Sequence, residues 1–202
     1  NLGVALKELG RLEEAVASYV RAIEIKPGFV EVYNNLGNIL RDAGRYDESV
    51  ACYRAALQIA PDFADAWSNL AWVLSLNGRP PEAEQASRRA IELDPRNANA
   101  HNNLGGALMR QSRLREAETV LREALLLRPD FPLPHSNILF CLNYRDDLPA
   151  QTIFAEYQEW DARHARPLAP AEPHYTLDTT PGRRLRIGYV SPDFRTHAVA
   201  LF

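Results

Sequence analysis

The sequence predicts an all-α fold, a superhelix of stacked antiparallel helix pairs, followed by a short C-terminal strand that opens an α/β domain. Three observations predict it. Several residue columns recur every 34 positions through the first two-thirds of the chain. Glycines and prolines hold fixed places within that period, where helices must stop. The final quarter loses the period and runs into an alternating, strand-like segment.

The columns agree with one another. Leu36–Gly37 and Leu104–Gly105 are separated by 68 residues, with Leu70–Ala71 midway and Leu2–Gly3 one period earlier. Pro27, Pro61, Pro95 and Pro129 keep the spacing, as do Ala22, Ala56, Ala90 and Ala124. A small-residue column holds Ala15, Ser49, Ala83 and Ala117, and a turn column holds Gly10, Gly44, Gly78 and Ser112. Small residues such as Gly37 and Ser49 let two antiparallel helices approach. Glycines in the turn column end a helix cheaply in the left-handed conformation, and the prolines mark the break before the next unit. In the second unit this predicts helices from Val30 to Ala43 and from Tyr46 to Ile59. Val50, Tyr53, Ala56 and Leu57 share one face of the latter.

These columns resemble the tetratricopeptide repeat, whose period is also 34. The resemblance runs from Asn1 to about Asn143: a truncated unit, three full units and the first helix of a fifth. In the fifth unit Leu139 replaces the small residue and Gln151 stands where the next alanine is due. That departure reads as the end of the array, since a terminal unit seals one side instead of accepting a neighbour.

One column bears on function. Asn1, Asn35, Asn69, Asn103 and Asn137 each precede the Leu–Gly pair or its counterpart. Asparagine is a poor interior helix residue because its amide competes with the backbone, so five in register need a reason. The resemblance places first helices, and this column, on the inner face of the array. With helices packed about 8–10 Å apart and an extended chain rising about 3.3 Å per residue, one amide meets a bound polypeptide every third residue or so. A primary amide matches one backbone N–H and one C=O, which predicts binding of extended segments with little regard to side chains. The alternative is that the amides bridge neighbouring helices and touch no ligand.

The remaining composition narrows the field. A net charge of -3 offers no electrostatic footprint for nucleic acid. Cys52 and Cys141 are too few and too far apart for a disulfide framework or a metal site, which fits a reducing cytoplasm. No apolar run approaches the length needed to cross a bilayer. His101 and His135 share a column with Tyr33 and Trp67 and read as packing substitutes; Trp67, Trp72 and Tyr53 read as core. The Arg88–Arg89 and Arg110–Arg113–Arg115 groups read as solvated helix surface. No catalytic triad order, phosphate loop or zinc motif is present.

After Asn143 the pattern changes. Pro149 opens a helix to about Ala165 with Ile153, Phe154, Tyr157 and Trp160 as an apolar stripe, expected to cover the last unit. Proline-rich residues 167–182 read as a linker. Arg184-Leu-Arg-Ile-Gly-Tyr-Val190 alternates as a buried strand and is followed by Ser191-Pro-Asp-Phe-Arg-Thr-His197. The organisation expected is a solenoid at 1–143, a capping helix at 144–166, the linker, and the start of a truncated α/β domain at 183–202. Residue 1 falls inside a repeat and the chain stops just after the strand, so it reads as part of a longer protein.

The runs His135-Ser-Asn-Ile-Leu-Phe-Cys-Leu-Asn-Tyr144, Ile153-Phe-Ala-Glu-Tyr157 and Arg184 to His197 resemble the O-linked N-acetylglucosamine transferase and SPINDLY family. The resemblance implies repeats joined to a two-lobed glycosyltransferase that moves a sugar from a nucleotide donor, UDP-GlcNAc or GDP-fucose, to protein Ser or Thr. It implies an active-site position for His197, beyond the carboxyl end of the first catalytic strand; a surface-loop histidine is the alternative. Ala198 and Val199 look closer to the SPINDLY branch, which leaves the donor open. Donor-binding elements lie in the second lobe, so these residues alone are not expected to catalyse and hold no cofactor. A stand-alone adaptor array, and self-association of the array, are the competing readings.

Overall fold

The computed structural model describes residues 2–168. They form ten α-helices in chain order: α1 Leu2–Glu8, α2 Leu12–Ile25, α3 Val30–Asp42, α4 Tyr46–Ile59, α5 Ala64–Leu76, α6 Pro80–Leu93, α7 Ala98–Arg110, α8 Leu114–Leu127, α9 Pro132–Leu142 and α10 Ala150–Trp160. A π-helical turn, Asp161–Ala165, and a short 3₁₀ turn, Arg166–Leu168, continue α10. No strand occurs among the described residues. The expected strand and His197 lie outside them, as do Asn1 and all of the expected linker after Leu168, whose first two residues belong to the 3₁₀ turn.

The turn column does what its chemistry predicts. Gly44 and Gly78 hold φ of 75° and 70°. The following residue closes the helix end, with Arg45 N–H donating to Leu40 O at 2.8 Å and Arg79 N–H to Leu74 O at 2.9 Å. Ser112 takes the same place with φ 60°. Each second helix then starts on an arginine whose guanidinium pairs with a glutamate three residues on: Arg11–Glu14, Arg45–Glu48, Arg79–Glu82 and Arg113–Glu116. The glutamates sit where a helix dipole favours negative charge. These exposed pairs fix local geometry and add little stability.

Packing within each unit turns on one contact. A Cβ at Gly37 would lie 2.7 Å from the Tyr53 ring, at Gly3 2.5 Å from Tyr19, and at Gly105 2.5 Å from Leu121. Where the first helix carries Ala71 instead, the facing residue shrinks to Ser87. Ser49 adds a buried bond, its hydroxyl donating to Gly37 O at 2.7 Å. The buried side chains form three successive clusters, around Leu36 and Tyr19, around Leu70 and Tyr53, and around Leu108 and Leu121.

Between units, first helices meet one another: α3 with α5, α5 with α7 and α7 with α9. Successive second helices do not approach as closely among the described residues; α4 and α6 meet through side chains such as the Arg54–Glu82 pair. The stack therefore closes on its first-helix side, and α3, α5, α7 and α9 line the inner wall.

At the end of the array α10 packs on α9. Ile153 and Leu148 join the last cluster, and Trp160 Nε1–H donates to Ser136 Oγ at 2.9 Å. The expected apolar stripe is only half used: Phe154 is 62% exposed and Tyr157 also faces out, because α10 meets α9 through one edge. His135 is buried, with its Nδ1 3.0 Å from His164 Nε2 across that interface.

Candidate binding groove

The asparagine column runs along the inner wall, half-buried in each of α3, α5, α7 and α9. From Asn69 onward its NH₂ groups reach back one unit. Asn69 Nδ2 donates to Asn34 Oδ1 at 3.0 Å, Asn103 Nδ2 to Ser68 O at 2.9 Å, and Asn137 Nδ2 to Asn102 Oδ1 at 3.4 Å. The amides thus bridge neighbouring first helices, as the alternative reading had it. The receiving column, Asn34, Ser68, Asn102 and Ser136, keeps the same 34-residue spacing; that spacing of small polar residues is the signal that could have found it.

Their carbonyl oxygens are a different matter. Among the described residues no hydrogen bond reaches Oδ1 of Asn35, Asn69, Asn103 or Asn137. None of these oxygens is a sealed, unsatisfied atom; the two such atoms found are Ser87 Oγ and Arg128 Nε. Each unit therefore keeps one acceptor that the fold leaves unpartnered, and Asn69, Asn103 and Asn137 line the clefts between α5, α7 and α9. Asn1 lies outside the described residues.

Two adjoining clefts of about 470 and 270 Å³ lie between α5, α7 and α9 and share Asn102, Asn103, Trp72 and Leu133. Trp72, read from sequence as core, is instead 45% exposed here, with the Arg41 guanidinium 4.0 Å above its ring. Tyr53 and Trp67 keep their packing roles, Tyr53 fully buried and Trp67 half-buried. The ring column beside them also caps turns: Trp67 Nε1–H donates to Pro61 O at 2.8 Å, and His101 Nε2 lies 3.1 Å from Pro95 O. Arg113 is ion-paired to Glu84 as well as Glu116 rather than simply solvated.

Burial pushes the Cys52 and Cys141 thiols up to about 11 and the Tyr53 hydroxyl up to about 12, which leaves all three protonated at neutral pH. No cluster of three or more metal-ligating side chains occurs among the described residues. No described helix is long and apolar enough to cross a membrane. The wall offers amide acceptors and apolar surface, the equipment of a binding face.

Three family models match the chain: a TPR repeat at residues 3–40 and tetratricopeptide repeats at 29–96 and 69–132. Among solved structures, a variant of the Thermobaculum terrenum O-GlcNAc transferase is 34% identical, with a TM-score of 0.74. The match covers 86% of this chain but only 33% of the transferase. MamA from Desulfovibrio magneticus is 20% identical, covering 80% of this chain and 90% of that one, with a TM-score of 0.73. YrrB, described as a TPR protein with an unusual peptide-binding site, is 22% identical, covering 80% and 82%, with a TM-score of 0.65. No curated protein matches the sequence.

Proposed function

Since the chain is an array of tetratricopeptide repeats, we propose that its inner wall holds extended polypeptide segments and delivers them to a protein O-glycosyltransferase. The observation that carries the binding half is the file of open Oδ1 acceptors on Asn35, Asn69, Asn103 and Asn137, one per unit. An extended chain presents a backbone N–H to one side at every second residue, and a neutral amide oxygen accepts it without regard to side-chain identity. From Asn69 onward the amide NH₂ groups, by bridging first helices, hold those oxygens in place. This wall supplies acceptors, so main-chain N–H groups are what it grips.

The enzyme half is supported by the 34% identity to the transferase, against 20–23% to the other array structures compared. In this reading the repeats recruit protein substrates, UDP-GlcNAc or GDP-fucose supplies the sugar for Ser or Thr, and His197 belongs to the active site. A stand-alone adaptor is the second reading, favoured by MamA and YrrB, chains that this one covers nearly end to end.

Two measurements test the proposal. Replacing Asn35, Asn69 and Asn103 together with Ala should weaken binding of labelled extended peptides at least tenfold while circular dichroism stays helical; unchanged binding would end the binding half. Incubating the full-length protein with a lysate and radiolabelled UDP-GlcNAc or GDP-fucose should label protein from one donor. Label from neither supports the adaptor.

A further inference from the structure

We propose that Gly106 opens a slot in the inner wall for one large apolar side chain of a bound polypeptide, with an acidic side chain nearby meeting Arg110. The inference rests on the reading of the wall as a polypeptide groove.

Two adjacent glycines in α7 differ in purpose. Gly105 is required by packing, because a Cβ there would sit 2.5 Å from Leu121. At Gly106 a Cβ would meet nothing within 4 Å. Nor does the backbone need it, for among the described residues positive φ at glycine is confined to Gly10, Gly44 and Gly78. A glycine inside a helix costs stability relative to alanine, and the fold gains nothing for that cost.

What Gly106 leaves is space. Its column is Asn38, Trp72, Gly106 and Phe140, so the missing side chain falls between two rings, each 45% exposed. The cleft of about 470 Å³ at this point is lined by Trp72, Gly106, Met109, Leu133 and Phe140 and also by Asn103 and Asn137. Apolar walls with a few convergent amides are the usual make-up of a ligand site. A leucine- or phenylalanine-sized side chain fits the gap while its main chain passes the Asn103 and Asn137 oxygens.

Charge supplies the second element. Arg110 also lines this cleft and has no hydrogen bond, ion pair or ring contact among the described residues. Every other described arginine except Arg96 engages a side chain, from Arg11 on Glu14 to Arg166 on Asp161. Arg96 lies in the turn before α7 and does not line the cleft. A guanidinium left open at an apolar slot suits a carboxylate. Because the asparagine file continues on both sides, the segment passes through, and the carboxylate is an aspartate or glutamate side chain.

The test uses the full chain and a C-terminally amidated, fluorescein-labelled peptide of small polar residues bearing one Leu and one Glu two residues apart. Replacing the peptide Leu by Ala should raise Kd about tenfold, the scale of burying one such side chain. Gly106→Leu should abolish that discrimination while still binding the Ala peptide, with Gly106→Ala as a milder filling should the larger residue perturb the helix. Arg110→Glu should reverse the preference for Glu over Lys in the peptide. Equal binding of Leu and Ala peptides by the unaltered chain, or discrimination that survives Gly106→Leu, overturns the slot. A gain with a free C-terminal carboxylate and none with internal Glu overturns the acidic partner. Dimerisation in sedimentation that Gly106→Leu removes assigns the slot to a second copy and also overturns the proposal. Loss of both peptides in the triple asparagine variant separates failure of the slot from failure of the groove.

Discussion

The two ends of the inner wall carry different chemistry. At α3 the polar groups answer one another: the Tyr53 hydroxyl donates to Asn38 Oδ1 at 2.8 Å, and Arg41 donates to the same oxygen at 3.0 Å and to Asp42 at 2.8 Å. At α7 and α9 the equivalent positions are Gly106 and Phe140, and Arg110 stands open beside them. The difference teaches where selectivity can reside. Columns that face the partner helix are held to the period by packing, as with Gly37 against Tyr53. The asparagine column keeps the period because it bridges neighbouring first helices, whereas the column of Asn38, Trp72, Gly106 and Phe140 is held to neither role along its length, so it varies from unit to unit and records what each stretch of wall must accept.

The sharpest way to break this distinction is to make one substitution on both sides of it. Gly105→Ala forces a Cβ to 2.5 Å from the fully buried Leu121, and overpacking of this kind costs about 1–3 kcal/mol. Gly106→Ala, one residue along, meets open space and should gain about 1 kcal/mol from helix propensity. Denaturant melts should therefore move in opposite directions, the largest separation expected from any adjacent pair in the chain. Parallel shifts would dissolve the division between packing and groove columns.

The sequence was most readable where packing dictates residue type. Turn glycines, inter-unit prolines and the Gly37–Ser49 approach follow from sterics that act within one helix pair, and helix limits in the second unit agree to within a residue. The asparagine file was visible as a column, yet its division of labour was not. That NH₂ groups bridge while carbonyl oxygens stay open depends on how far one unit rotates against the next, which no single period encodes. Trp72 was misplaced for the same reason: its amphipathic helix position faces the neighbouring unit and the groove, not the core. The Arg–Glu pair at each second-helix start is legible in the sequence as a spacing of three residues.

A smaller effect belongs to the capping end. His135 lies 2% exposed, its ring nitrogen bonded to His164 with Arg163, Glu159 and Glu156 around it. Burial first, then the nearby His164 and Arg163 charges, hold its pKa below the ordinary 6.5. The folded state therefore keeps the ring neutral while the unfolded chain takes up the proton. This stability is complete above the ordinary value and declines as pH falls through it, by at most about 1.4 kcal/mol per pH unit for one proton. Thermal melts should show Tm falling below about pH 6.5, and His135→Phe, which cannot titrate, should flatten that slope. An unchanged slope would place the pH dependence elsewhere.

The smallest expected effect tests the packing column where it departs from its neighbours. In the third unit Ala71 faces Ser87 rather than glycine facing a ring, and the Ser87 hydroxyl is fully buried with no hydrogen-bond partner. Its counterparts Tyr53 and Tyr19 fill their interfaces with a ring, so here a small side chain was obtained at the cost of a stranded donor. Ser87→Ala keeps the volume nearly the same, removes the unsatisfied group and suits a helix better, so it should stabilise by about 0.5–1 kcal/mol. A denaturation midpoint that rises without a change in slope would show that the hydroxyl serves no packing need. A fall would mean that it contributes to the α5–α6 contact through an interaction that the serine alone can make.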